Sequence, residues 1–241
     1  MFVKSFSYTT ALGLMLGASI SVNAAIIING TRVIFPSDQK NITVQVKNEG
    51  SAPALMQTWI DNGDADVIPD ESDVPFVVMP PVSRVDPMSG QTIHISNINA
   101  DLPQDRESVY WLNVLDIPAK PQTADAESDN LLQIAIRNRI KIFYRPKQLQ
   151  GKAIDAPKKL QWGLSSDYLT VNNPTPYYVN ISNLIAVSNA GKQYELAPDG
   201  LMLSPFANQN IELKNLEIQK INLLSINDYG GINSFDVELK Q

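Results

Sequence analysis

The stretch NLLQIAIRNRIKIFYRP, residues 130–146, alternates apolar and polar side chains for far longer than most strands do. Its apolar positions are Leu132, Ile134, Ile136, Ile140 and Ile142. Its polar positions are Gln133, Arg137, Arg139, Lys141 and Arg145. Because successive side chains of a strand point to opposite faces, the pattern predicts one long strand with an apolar face and a cationic face. An average strand has about 5–6 residues, so this strand exceeds what a compact sheet requires.

Shorter runs of the same kind fill the chain before this stretch. They predict strands at residues 26–35, 41–50, 54–63, 75–81, 91–98 and 108–117. Turn residues separate them, as in PSD at 36–38 and DPMSG at 86–90. Together with the long strand, they indicate an antiparallel β-sandwich of the immunoglobulin-like type.

A second set of strands follows the segment PKQLQGKAIDAPKK, residues 146–159, which breaks the alternation. These strands are predicted at residues 168–173, 177–187, 192–197, 208–214, 220–227 and 234–240. No segment shows a helical period over eleven residues or more. We therefore expect an all-β chain with one sandwich at 25–147, including the long strand, and a smaller sandwich at 148–241.

The first 24 residues have the features of a secretory signal peptide. Lys4 gives a positive start, residues 11–22 are apolar, and Val22-Asn23-Ala24 is a small-residue cleavage site. We expect cleavage near Ala24–Ala25 and an exported protein without stable membrane insertion. The formal charge of −6 gives no general attraction to nucleic acid.

Catalytic and metal-binding chemistry has little support in the sequence. There is no cysteine, and the one histidine, His94, lies at a polar position of the strand QTIHISN, where it is expected to face solvent. Nucleophilic catalysis and metal binding both need clustered groups that this chain does not offer. The acidic stretch at 61–73 departs from a calcium loop and is interpreted as a solvated hairpin loop. We expect neither an enzyme nor a cofactor.

Two cations lie inside apolar runs. Arg32 belongs to the first predicted strand, and Lys141 lies among Ile140, Ile142 and Phe143. A charge in such a place costs free energy unless it is paired or solvated. Either each points to solvent or to a nearby acid, or the two form a small anion site from different strands.

Seven segments resemble the periplasmic chaperones of the chaperone/usher pathway, the PapD-like family. They are GTRVIFP (30–36), PPVSRVDP (80–87), LPQDRESVYWLNVLDIP (102–118), LLQIAIRNRIKIFYRP (131–146), NPTPYYVNISNL (173–184), PFANQNI (205–211) and INDYGG (226–231). They occur in the family's order and span essentially the whole mature chain. The resemblance implies two immunoglobulin-like domains in a boomerang arrangement with an interdomain cleft.

The resemblance also implies a function. Such chaperones lend their long strand to fimbrial subunits that lack a final strand, which is donor-strand complementation, and deliver them to an outer-membrane usher. Leu132, Ile134 and Ile136 would enter the subunit groove. When free, the protein could associate with itself through the same strand. A structural fibre subunit and a secreted immunoglobulin-like binding module remain the alternatives.

Further residues acquire roles through the resemblance. Arg32 and Lys141 match the cations that hold the subunit's C-terminal carboxylate, and Glu107, Arg145 and Asp228 match an interdomain salt-bridge network. Strict alternation puts Lys141 on the face opposite the donor residues, so either a bulge re-aims it or both faces of the strand are used. The short segment AKPQTADAESDN, residues 119–130, favours the short-loop subclass.

Overall fold

The computed structural model of the chain describes residues 26–66, 68, 73–98, 101–119, 133–213 and 216–239. These residues form two β-sandwiches and one short 3₁₀ helix, as the all-β prediction requires. Among them, no helix is long and apolar enough to cross a membrane. Three predictions fall outside the described residues: the signal peptide, the subclass loop beyond Ala119, and the donor residue Leu132.

The described residues of the first sandwich form nine strands. They are β1 (Ile26–Ile28), β2 (Arg32–Pro36), β3 (Asn41–Asn48), β4 (Ala54–Asp61), β5 (Phe76–Met79), β6 (Val82–Val85), β7 (Gly90–Asn97), β8 (Ser108–Pro118) and β9 (Ile136–Arg145). One sheet has the order β1-β3-β7-β5 and the other the order β2-β9-β8-β4-β6. Every described pairing is antiparallel except β2 with β9, which is parallel. The core between the sheets includes Phe35, Met56, Ile93, Leu112 and Ile142, all fully buried.

The second sandwich begins with the 3₁₀ helix Ala153–Lys159, inside the segment that breaks the alternation. Its strands are β10 (Gln161–Leu164), β11 (Tyr168–Asn172), β12 (Val179–Ser188), β13 (Gln193–Glu195), β14 (Leu201–Leu203), β15 (Asn208–Glu212), β16 (Ile218–Ile226) and β17 (Ile232–Glu238). One sheet has the order β10-β11-β15, and the other the order β13-β12-β16-β17 with β14 also on β12. Leu169, Leu184 and Leu223 lie fully buried between them.

The run 26–35 forms two strands instead of the one predicted. Gly30, between the two strands, has a backbone φ angle of +119, which residues other than glycine rarely adopt. The chain therefore changes sheets: β1 pairs with β3, and β2 pairs with β9. This change brings Arg32 beside the long strand.

The long strand is shorter than the predicted 130–146. It begins at Ile136, and residues 133–135 have no regular structure. Its pairing with β8 starts at Asp116 opposite Ile136, and β8 ends two residues later at Pro118, whose nitrogen has no hydrogen to donate. Strands β6, β10 and β14, of three or four residues each, were not predicted because runs of this length show no clear alternation.

Candidate functional site

Strand β9 has a neighbour on both sides along only half of its length. Residues 136–144 pair with β8 throughout, whereas β2 pairs only with residues 141–145. Among the described residues, the edge of residues 136–140 that faces away from β8 has no strand beside it. Unpaired backbone groups on such an edge can form hydrogen bonds with an added strand.

The pairing of β8 with β9 runs without a register shift from Ile136 to Tyr144. A bulge in this part of β9 is therefore absent, and the alternation of side chains is strict. Ile142 and Tyr144 face the core, and Ile140 packs against it. Lys141 lies on the opposite face, so the two faces of the strand have different surroundings.

The predicted donor residues begin where the sandwich ends. Ile136, the first residue of β9, is half-buried, and Ile134 before it is 59% exposed. Both have the parity of the core residues Ile140 and Ile142. In sequence they continue the apolar alternation of β9 toward the N-terminus, and pairing with β8 begins at Ile136. Leu132 lies outside the described residues.

Arg32 and Lys141 are directly opposite each other on the parallel strands β2 and β9. Arg32 Nη1 donates a hydrogen bond of 3.0 Å to the carbonyl oxygen of Ile226 in the second sandwich. Its Nε is buried without a hydrogen-bond partner among the described groups. Within that same part of the chain, no carboxylate forms an ion pair with Arg32 or Lys141.

The surroundings of both cations disfavour their charge. The pKa of Lys141 is lowered by burial first and then by repulsion from Arg32 and Arg139. The pKa of Arg32 is also lowered by burial, although the charge of Asp228 opposes that effect. A bound anion would offset the repulsion between these two partly desolvated cations. An arginine can hold a carboxylate through two parallel hydrogen bonds.

Glu107, Arg145 and Asp228 meet between the sandwiches. Arg145 Nε donates to Glu107 Oε1 at 2.6 Å, and its Nη1 and Nη2 donate to the two carboxylate oxygens of Asp228 at 2.7 and 3.0 Å. The other oxygen of Glu107 accepts a hydrogen bond of 2.8 Å from the backbone N–H of Tyr178. One arginine of the first sandwich thus connects a carboxylate on each side of the cleft.

Burial affects the network in two ways. It raises the pKa of Glu107, although Arg145 and the Tyr178 N–H oppose the rise. Burial alone would lower the pKa of Arg145, but hydrogen bonds and charges from Asp228 and Glu107 raise it above its ordinary value.

The cleft beside this network is lined by Arg32 and Arg145 from one sandwich and by Ile226 and Asp228 from the other.

The sequence did not predict that the side chain of Asp61 is buried and paired. The stretch 61–73 was predicted to be solvated, which is wrong for Asp61: its side chain is fully buried and pairs with Arg139. Asp64 and Asp66 are exposed as predicted, and so is His94. The available signal was position, because Asp61 lies inside the predicted strand 54–63 and shares the parity of Trp59. No group of three metal-ligating residues occurs within the described ranges.

Comparison with known proteins identifies the family. The model of the pili and flagellar-assembly chaperones, PapD N-terminal domain, matches residues 25–150, and that of the pili assembly chaperone PapD, C-terminal domain, matches residues 155–236. The probable fimbrial chaperone YadV of Escherichia coli K12 is 42% identical, covering 93% of this chain and 94% of its own. The chaperone protein FimB/FhaD of Bordetella pertussis is also 42% identical, covering 95% of each chain.

Solved structures agree with this result. The Pseudomonas aeruginosa CupB2 chaperone is 37% identical with a TM-score of 0.76, covering 89% of this chain and all of that one. The SafB chaperone of Salmonella enterica, solved in complex with the SafA pilin, is 27% identical with a TM-score of 0.74, covering 89% and 96%. This chain belongs to the PapD-like family of pilus-assembly chaperones.

Proposed function

We propose that this protein is a periplasmic chaperone that binds, folds and caps fimbrial subunits by donor-strand complementation and delivers them to an outer-membrane usher. The observation that carries the proposal is the edge of β9 at residues 136–140, which pairs with no strand in the described part of the chain, with Ile134 exposed beside it. A subunit that lacks its last strand exposes an apolar groove flanked by unpaired backbone groups. Residues 132–136 supply alternating apolar side chains for the groove, and the strand edge supplies hydrogen bonds.

Arg32 and Lys141 fix the register of this pairing. They bind the C-terminal carboxylate of the subunit from the cationic face of the strand, while Leu132, Ile134 and Ile136 act from the other parity. The proposal thus uses both faces of the strand and needs no bulge, which fits the continuous register between β8 and β9. The charge-assisted hydrogen bonds are strengthened by the partial burial of both cations.

Glu107, Arg145 and Asp228 hold the two sandwiches at a constant angle, which keeps the cleft open to the subunit. The protein reaches the periplasm through the signal peptide 1–24, and the mature domains are 25–147 and 148–241. It acts by binding, without catalysis. When no subunit is present, the same strand edge allows two copies to associate, because an unpaired edge readily accepts another strand.

The test replaces Ile134 by aspartate and measures capture of a fimbrial subunit of the host, expressed without its N-terminal extension. A charge at a position that enters an apolar groove should abolish recovery of the soluble complex. Ile98→Asp is the matched control, since Ile98 is 65% exposed in the same sandwich. Equal capture by Ile134→Asp, Ile98→Asp and the wild type would reject the donor role.

A further inference from the structure

Asp61 lies at the end of β4, two strands away from β9, on the cationic face of their sheet. Its carboxylate accepts hydrogen bonds from Asn113 Nδ2 at 2.7 Å, from Arg139 Nε at 3.0 Å and from the backbone N–H of Gly63 at 2.8 Å. Arg137 Nη2 is 3.9 Å from Asp61 Oδ2. The buried carboxylate of Asp61 therefore forms ion pairs with two arginines of β9.

Each arginine also lies over a tryptophan ring. The guanidinium carbon of Arg137 is 5.0 Å from the ring centre of Trp59, and that of Arg139 is 4.8 Å from the ring centre of Trp111. Arg137 further donates to Asn113 Oδ1 at 2.8 Å. Cation–π contacts and charge-assisted hydrogen bonds together restrict both side chains.

These contacts belong to the part of β9 that lacks β2. Arg137 and Arg139 lie within residues 136–140, where β8 is the one strand beside β9 among the described residues. A strand with one neighbour loses its pairing more easily than one with two, because fewer contacts must open. The arginines reach across β8 to Asp61 on β4, which gives this half of β9 a second attachment.

The attachment is strong because Asp61 stays ionised. Burial alone would raise the pKa of Asp61, but hydrogen bonds from Arg139, Asn113 and Gly63 and the charge of Arg139 lower it below its ordinary value of 3.8. The surroundings of Asp61 therefore favour the charged form of its carboxyl group. Removing one partner of a buried ion pair is costly, since the other partner is left uncompensated.

We propose that Asp61 is a positioning residue for subunit binding: through Arg137 and Arg139 it holds residues 136–140 of β9 on the sheet, so that the unpaired edge is ordered before a subunit arrives. The inference rests on the proposed function of β9. A strand that is already extended loses less conformational entropy when it pairs, which increases affinity without a new contact to the partner. Asp61 acts from the face opposite the donor side chains and touches no subunit.

The first measurement needs no subunit. Hydrogen exchange of the backbone amides in 136–140 is compared with that in 141–145 for the wild type and Asp61→Asn. The amides of 136–140 that bond to β8 should lose protection about tenfold, equivalent to about 1.4 kcal/mol, while those of 141–145 stay unchanged. Asp236→Asn is the control, because Asp236 pairs with Lys220 on the surface of the second sandwich.

The second measurement is capture of the truncated fimbrial subunit, which should weaken about tenfold in Asp61→Asn and stay unchanged in Asp236→Asn. Arg137→Gln, which keeps the Asp61–Arg139 pair, should give a smaller effect in the same direction and is used if Asp61→Asn does not fold. Lower thermal stability with unchanged exchange at 136–140, or faster exchange with unchanged capture, would overturn the proposal. Unchanged capture by Ile134→Asp would instead reject the donor strand itself.

Discussion

Arg32 and Lys141 lie side by side on two parallel strands, and among the described residues neither forms an ion pair. The neighbouring cations of β9 are all paired: Arg137 and Arg139 with Asp61, and Arg145 with Glu107 and Asp228. The contrast separates two kinds of cation on one face of the sheet. The paired cations connect strands or sandwiches, and the two cations without an ion pair are those proposed to bind the subunit's carboxylate.

Lys141→Ala and Arg32→Ala should each weaken subunit binding about 10–100-fold, because a hydrogen bond to a charged group contributes about 1.5–3 kcal/mol. Lys147→Ala is the control, since Lys147 is exposed and pairs with Asp38 at the surface. Affinity is measured with the truncated fimbrial subunit bearing either a free or an amidated C-terminus. Amidation should weaken binding to the wild type and have little further effect on Lys141→Ala; an equal loss in both would contradict the carboxylate site.

Lys141→Met should stabilise the free chaperone while it weakens subunit binding. The folded-state pKa of Lys141 is lowered, so below that pKa the residue is charged in both states and the folded state bears the cost of desolvation and repulsion. The cost disappears as pH rises through the lowered pKa toward the ordinary value of 10.5. We expect a melting temperature about 2–4 °C higher at neutral pH, limited by solvent screening of the half-exposed side chain.

The pH dependence checks this interpretation. The difference in melting temperature between Lys141→Met and the wild type should shrink as pH rises through the lowered pKa. Binding of a carboxylate should raise the pKa again, so wild-type affinity for the subunit should fall over the same range. A difference that is constant with pH would mean that the stabilisation comes from packing of the methionine.

The alternation of residues 130–146 predicted the existence and the two faces of β9 correctly, because pleating alone determines which side chains share a face. Alternation could not show where the strand begins, since that depends on the end of its partner β8 at Pro118. It also could not show that Arg32 lies opposite Lys141, which follows from the change of sheets at Gly30.

The environment of Asp61 could not be predicted from one segment, because it is formed by residues of three strands, β4, β8 and β9. Its partners Asn113 and Arg139 are 52 and 78 residues away in sequence, and no local pattern relates them. The residues of the interdomain network were named through family resemblance, and the geometry that brings Arg145 to Asp228 depends on how two separate sandwiches pack. Local chemistry therefore predicted strands and faces, whereas contacts between distant strands and between the two sandwiches decided which charges are neutralised.

Arg145→Ala should destabilise the protein by about 3–5 kcal/mol. It leaves the carboxylate of Glu107, which is 1% exposed, without its charge partner in the interface. Glu107→Gln should cost less, because it removes the buried charge and leaves the two hydrogen bonds between Arg145 and Asp228 in place. Urea unfolding measures both, with Arg84→Ala as a surface control that should show no change. Equal losses for Arg145→Ala and Glu107→Gln would show that the charge of Glu107 is unimportant.

Gly230→Ala should loosen the contact between the sandwiches. Gly230 has φ +81 in the turn after Asp228, and a Cβ atom there would lie 2.7 Å from Thr31 Oγ1, beside Arg32. Gly191→Ala isolates the backbone cost, since Gly191 has φ +76 and no atom within 4 Å of its added Cβ. The left-handed conformation alone costs about 1–2 kcal/mol, so Gly191→Ala should lose about that much stability and Gly230→Ala more. Thr31→Ala combined with Gly230→Ala should recover the stability that Gly230→Ala loses beyond Gly191→Ala, because it removes the hydroxyl that the new methyl group meets. A double variant no more stable than Gly230→Ala would place the strain elsewhere in the turn.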